Sequence, residues 1–238
     1  MKKPKEGSQE SGCFATQKRN DNNDNCNDDN DRHESPLSPP PHTTTTSNIT
    51  MTSTTATAAT KKISWKIFFD LQCPYAKRCW GNLPAIRARF EKEYDITTHL
   101  TSLAFHPQAF PAQSAATLIG TKLGPAARDR FMDACYTHQD RYTNDGLGDA
   151  RKSDVDAVFA DIAHQAGLFD ETKELTREIF LANLHDWDTV VMVANKEHKM
   201  ALGYGVFGTP KHVIDEKLVP DTESAWGPDE WETKLKSL

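Results

Sequence analysis

The apolar positions of this chain fall into two rhythms, and the switches between them mark its elements. Ile63, Trp65, Ile67, Phe68 and Phe69 are β-branched or aromatic and stop at Asp70, which predicts a core strand. Tyr75, Cys79, Leu83, Ile86 and Phe90 then recur at steps of three and four, one face of a helix. Pro74 suits the first helical position, where its missing N–H costs nothing, and Pro84 in the interior predicts a kink. Alternation returns through Ile96, Thr98 and Leu100, so Ile96 to Phe105 reads as a second strand, closed by His106-Pro107.

From about 108 to 204 the period is helical throughout. Pro111 can open a helix that stops at Gly124, and Pro125 opens the next, with Ala127, Phe131, Ala134 and Cys135 inward. Thr143 to Gly148 reads as a loop. Ser153 is the expected cap of a helix carrying Val155, Val158, Phe159, Ile162, Ala163 and Ala166 and ending at Gly167. Asp170 is the expected cap of another, and Asp186 or Asp188 of a last long one that ends near Gly203 or Gly205. After Gly205 the pattern changes to two short strands around a tight turn at Asp215-Glu216. A terminal helix follows, opened by Gly227-Pro228 and carrying Trp231 and Leu235.

The first sixty residues fit neither rhythm. Asn20 to Asp31 is Asn and Asp apart from Cys26, a proline cluster follows at Pro36 to Pro41, and a Thr/Ser/Ala tract runs to Thr60. A segment with so little apolar surface does not offset its ordering entropy, so 1–60 is expected to be a disordered tail, with a regulatory or phosphorylatable arm as the alternative, and 61–238 the folded domain. Asn48-Ile49-Thr50 matches a glycosylation sequon, expected to be inert without a secretory route. The net charge of −6 over 238 residues carries no basic excess that would point to nucleic acid, and no apolar run is long enough to span a membrane. No secretory pattern follows Met1-Lys2-Lys3. Five widely spaced cysteines do not make a disulfide scaffold, which leads us to expect a reducing, cytoplasmic setting.

The chemistry concentrates at Cys73. It falls at the N-cap of the first helix, where unpaired backbone N–H groups and the positive end of the macrodipole converge. A thiol in that place ionises more readily, and the thiolate is the nucleophile. The spacing of Cys73, Cys79, Cys135 and the histidines makes no zinc site, and no metal is expected.

Asp70-Leu71-Gln72-Cys73-Pro74-Tyr75 between a strand and a helix resembles the active-site segment of the thioredoxin superfamily, in particular its DsbA-like branch and glutaredoxin-like and kappa-class glutathione transferase-like relatives. Gly205-Val206-Phe207-Gly208-Thr209-Pro210-Lys211-His212-Val213-Ile214-Asp215 resembles the second half of the same signature. Together they cover roughly 62–238. The resemblance implies an α/β, thioredoxin-like fold with an all-helical insertion between the second strand and a cis-Pro loop. It also implies that Pro210 is cis and faces Cys73, with Thr209 offering its backbone to an extended substrate. One departure matters: where the family has Cys-x-x-Cys, this chain has Cys73-Pro74-Tyr75-Ala76.

The reading that follows is a thiol-disulfide oxidoreductase of the monothiol type. Cys73 is the catalytic residue, and Pro74, Tyr75, Ala76, Thr209 and Pro210 shape the site. An outside thiol such as glutathione acts as co-substrate in place of a second cysteine. Its partners would be thiol- or disulfide-containing proteins or small molecules. Lys77 and Arg78, in the first helical turn, are candidates to attract anionic glutathione, or are simply a solvated face. A tail cysteine, Cys26, is a second candidate resolver. Cys79 and Cys135 read as buried thiols, Asp70 as a partner for turn backbone, Tyr75 as aromatic packing at the site mouth, and Trp226 and Trp231 as core or rim aromatics. Two alternatives stand beside this reading: a redox-inert peptide-binding module, and a kappa-like glutathione transferase or isomerase, although those relatives usually carry serine where Cys73 stands.

Overall fold

The centre of the molecule is a strand buried on both faces. In the computed structural model, which describes residues 61–170 and 173–238, β1 spans Ile63–Phe69 and lies between two neighbours. It runs parallel to β2 (Tyr94–Leu100) and antiparallel to β3 (Lys211–Ile214), which turns back through Asp215-Glu216 into β4 (Lys217–Leu218). The sheet order is β2-β1-β3-β4. Asp215 and Glu216 both take positive φ, 47° and 63°, the left-handed pair that suits a two-residue hairpin turn.

Side chains alternate across β1, so its two faces feed two cores. Trp65, Ile67 and Phe69 pack with α1 (Pro74–Phe90) through Cys79, Leu83, Ile86 and Phe90. Phe68 points the other way, into a smaller cluster with Ala201, Val206 and Val213. Trp65 is the aromatic hub, with ring contacts to Phe90, Tyr94, His212 and Trp231. Deleting a fully buried ring of this kind costs about 3–5 kcal/mol.

Between β2 and β3 lies the helical insertion: α2 (Ala109–Leu123), α3 (Pro125–Thr137), a 3₁₀ turn at Gln139–Arg141, α4 (Asn144–Leu147), α5 (Lys152–Gln165), α6 (Arg177–Asn183), a π turn at Trp187–Val191 and α7 (Met192–Gly203). The last helix, α8, is Pro228–Leu235, with Trp231 buried. Gly124 ends α2 at φ 88° and Pro125 starts α3, as the spacing predicts. No helix among the described residues is long and apolar enough to cross a membrane.

Several boundaries differ from the sequence expectation. The second strand starts at Tyr94 and ends at Leu100, so Thr101 to Phe105 are not strand. Their polar groups are drawn elsewhere, Leu103 N–H and His106 to the Asp70 carboxylate. Helix α5 is capped two residues earlier than Ser153: its N-cap is Arg151, and the Asp154 carboxylate accepts the Arg151 N–H at 3.1 Å. Helix α6 is capped by Thr176, whose Oγ1 accepts Ile179 N–H at 3.3 Å, rather than by Asp170. The loop expected at Thr143 to Gly148 holds one helical turn, capped by Thr143. Asp186 caps the π turn, its Oδ1 accepting Thr189 N–H at 2.8 Å, and α7 continues from it. α1 continues past Pro84 to Phe90. The tail, with Cys13, Cys26 and Asn48, lies outside the described residues.

Candidate active site

Sheet topology brings the two halves of the site together. The register of β1 against β3 pairs Phe68 with Lys211, so the loop that enters β3 arrives beside the end of β1, where α1 begins. The Thr209–Pro210 peptide is cis. Cys73 is the N-cap of α1, with extended φ −79° and ψ 123°, and Pro74 takes the first helical position. Its thiol donates to the Thr209 carbonyl at 3.3 Å, across 136 residues of sequence. Thr209 Oγ1 is buried there without a protein partner among the described residues.

The turn that delivers Cys73 is held on every side. Cys73 N–H donates to the Asp70 carbonyl at 3.1 Å. The Asp70 side chain is fully buried; its Oδ1 accepts Gln72 N–H at 2.7 Å, and its Oδ2 meets Leu103 N–H and His106 Nδ1, each at 2.9 Å. Burial raises the pKa of this carboxylate, and the three hydrogen bonds oppose that rise. The insertion clamps the same turn: Gln139 Nε2 and the Tyr142 hydroxyl both donate to the Leu71 carbonyl, at 2.9 and 2.7 Å. Gln72 Oε1 accepts Gln108 N–H at 2.9 Å.

A cleft of about 250 Å³ opens at the cis Thr209–Pro210 peptide, walled by Tyr75, Gly208, Thr209, Pro210, Lys211, Thr222 and Ser224, and Cys73 itself is buried behind Thr209. Tyr75 is 59% exposed at its mouth. Lys77 and Arg78 are not among the lining residues; both are exposed on α1, and the Arg78 guanidinium lies 6.0 Å from the centre of the Tyr75 ring. Ala76 is fully buried. One turn into the helix, where a second thiol would meet Cys73, there is only a methyl group.

The other described cysteines are chemically quiet. Cys79 and Cys135 are buried, and burial pushes the Cys79 thiol up to about 12 and the Cys135 thiol well above its ordinary value. Cys79 Sγ sits 3.9 Å from His212 Nε2. Trp65 Nε1–H donates to His212 Nδ1 at 3.1 Å, which leaves the imidazole proton on Nε2, facing the sulfur. Burial lowers the His212 pKa to about 3, so the pair is neutral. No group of three or more His, Cys, Asp and Glu among the described residues could hold a metal ion.

Pro74, Tyr75, Thr209 and Pro210 thus meet around Cys73. Sequence reasoning missed His106, Gln72, Gln139 and Tyr142, which fix the turn, and Lys211, Thr222 and Ser224, which wall the cleft. The one sequence signal was Asp70 itself, a charge at the end of an apolar strand. Asp221 and Glu223, flanking Thr222 in sequence, are exposed.

No family model matches the chain, and no curated protein matches it. Solved structures do. A Pseudomonas syringae protein provisionally assigned as a protein-disulfide isomerase superposes with a TM-score of 0.57 at 20% identity, over 73% of this chain and 93% of that one. The thiol-disulfide exchange protein alpha-DsbA2 from Wolbachia pipientis gives 0.55 at 14% identity, over 75% and 82%. BdbD from Bacillus subtilis gives 0.53 at 18%, over 73% and 86%. The fold is DsbA-like. Identities this low speak for the fold alone, so the reaction has to be argued from the geometry of the site itself.

Proposed function

We propose that this protein is a thiol-disulfide oxidoreductase that works with one thiol. The observation that carries the reading is Cys73 at the N-terminus of α1, 3.3 Å from the carbonyl that precedes a cis proline. The helix start stabilises negative charge on the sulfur. The Cys73 thiolate attacks one sulfur of a disulfide, forming a mixed disulfide and expelling the other sulfur as a thiolate. With Ala76 in place of a second cysteine, an outside thiolate such as glutathione attacks the Cys73 sulfur and releases the substrate thiol. A second glutathione then attacks that adduct, frees Cys73 and leaves oxidised glutathione. The balance is one disulfide reduced to two thiols and two glutathiones oxidised to one disulfide.

The buried Thr209 hydroxyl, without a partner among the described residues, can donate to the thiolate or to the bound disulfide, as a buried donor left unmade is costly. A reducing, glutathione-rich compartment such as the cytosol suits this cycle. The test is steady-state reduction of bis(2-hydroxyethyl) disulfide with glutathione as the reductant. The account expects turnover that saturates in the disulfide, needs glutathione and disappears in Cys73→Ser. Wild-type protein no faster than buffer would refute it.

A second reading has its own support: Phe207, two residues before Thr209, is 78% exposed and Tyr75 is nearly as open, a surface that would suit an extended peptide bound without chemistry. Under that reading Cys73→Ser keeps peptide affinity and the wild type shows no turnover.

A further inference from the structure

The Asp70 carboxylate joins two segments that lie more than thirty residues apart in sequence. On one side it holds the catalytic turn, through Gln72 N–H at Oδ1. On the other it holds the loop after β2, through Leu103 N–H and His106 Nδ1 at Oδ2. A turn alone has no need of a fully buried charge, which an asparagine could replace at lower desolvation cost. A carboxylate with three aimed donors is instead a rigid joint, because its two oxygens fix both segments at once. The titratable groups around it are His106 and the phenols of Tyr136 and Tyr142, both of which burial holds neutral. Tyr136 also donates to the Asp70 carbonyl at 3.3 Å. Of these donors to the joint, only His106 reaches the surface: its side chain is 16% exposed and packs edge-on against the Phe105 ring at 4.6 Å, itself open to solvent.

We propose that His106 is a positioning residue for the exchange reaction: through Asp70 it fixes the Asp70–Cys73 turn, and with it the alignment of the Cys73 sulfur against Thr209. The inference rests on the thiol-disulfide reading. Displacement at sulfur runs along the S–S axis, so a turn that wanders loses rate even when the thiol is intact. Gln72 and Leu103 still hold Asp70 when His106 is changed, so the fold does not hang on the imidazole.

The test compares His106→Ala, which deletes the donor, with His106→Asn, which sets an amide N–H close to where Nδ1 stands. Two rates are read at Cys73: mixed-disulfide formation with oxidised glutathione, which needs alignment, and alkylation by iodoacetamide, a small mobile reagent that needs it far less. In His106→Ala, exchange is expected to slow about 10- to 100-fold while alkylation stays within about twofold, and His106→Asn recovers exchange to within about threefold. Unchanged exchange in His106→Ala, an Asn variant as slow as Ala, or equal loss of both rates would each overturn the proposal. If wild-type Cys73 forms no mixed disulfide at all, it is the thiol-disulfide reading that fails.

Discussion

Cys73 and Cys79 sit six residues apart, at the start and on the inner face of one helix, and the structure makes them opposites. Cys73 is the N-cap, 3.3 Å from the carbonyl of Thr209, which walls a cleft. Cys79 looks into the core at a neutral imidazole, and burial pushes its thiol up to about 12. The residue type is the same and so is the helix. Both thiols are buried, and what differs is whether the sulfur sits at a helix start against a backbone carbonyl, or inside the core among apolar side chains that penalise its charge. Ala76 lies between them and sharpens the contrast, since it removes the thiol that would make Cys73 self-sufficient.

That contrast can be broken most severely by exchanging the two roles. Cys73→Ser is expected to abolish glutathione-dependent disulfide reduction, while Cys79→Ala keeps it and lowers only the unfolding free energy, by about 1–3 kcal/mol. The coupled assay and an equilibrium unfolding curve read both. Next in size is Ala76→Cys, which supplies an internal resolving thiol. Its sulfur enters a fully packed position at a cost of about 1–3 kcal/mol. Non-reducing mass analysis should find a disulfide inside the Cys73 peptide, and release of substrate should no longer need glutathione.

The quiet end of the helix makes its own prediction through His212. In the unfolded chain this imidazole takes up a proton near pH 6.5, whereas in the folded chain burial lowers its pKa to about 3. Between those values the unfolded state binds the extra proton, so stability present above about pH 6.5 drains away as the pH falls towards 3, on the order of 5 kcal/mol in all. Urea midpoints from pH 7 down to pH 4 should fall in the wild type and fall less steeply in His212→Asn, whose amide oxygen can stand where Nδ1 accepts the Trp65 N–H. The smallest effect is expected at Lys77 and Arg78. Both are exposed and neither lines the cleft, so alanine at either should change the KM for glutathione by about two- to fivefold at most. Lys211, on the cleft wall, should matter more.

The parts of this site that were legible in the sequence are those with a backbone reason. Pro74 can start a helix, Cys73 must then be its cap, and Thr209-Pro210 stands at the entry to a strand. The strands and most helices follow from their apolar periods in the same way, as Gly124-Pro125 between α2 and α3 illustrates. What could not be read was which polar group wins a shared partner. Thr101 to Phe105 have strand-like composition, yet the Asp70 carboxylate takes Leu103 N–H and ends the ladder at Leu100. Asp154 outcompetes Ser153, and Thr176 rather than Asp170 caps α6. Lys77 and Arg78 are near Cys73 along the helix, but side chains on a helix turn away from one another within a residue or two, and the cleft is walled instead by Tyr75, the loop that enters β3 and two residues from after β4. His106 has no periodic signal at all. The contact depends on a fold in which parallel β1 and β2 end side by side, so that the loop after β2 meets the aspartate that follows β1.

The measurement that tests the central claim most directly is the map of adducts formed with oxidised glutathione at neutral pH, read by mass spectrometry of the digested protein. The account predicts one glutathione, on Cys73, removed completely by added reduced glutathione, with Cys79 and Cys135 unmodified while the protein is folded. An unmodified Cys73, or an adduct distributed equally over Cys73, Cys79 and Cys135, would contradict it.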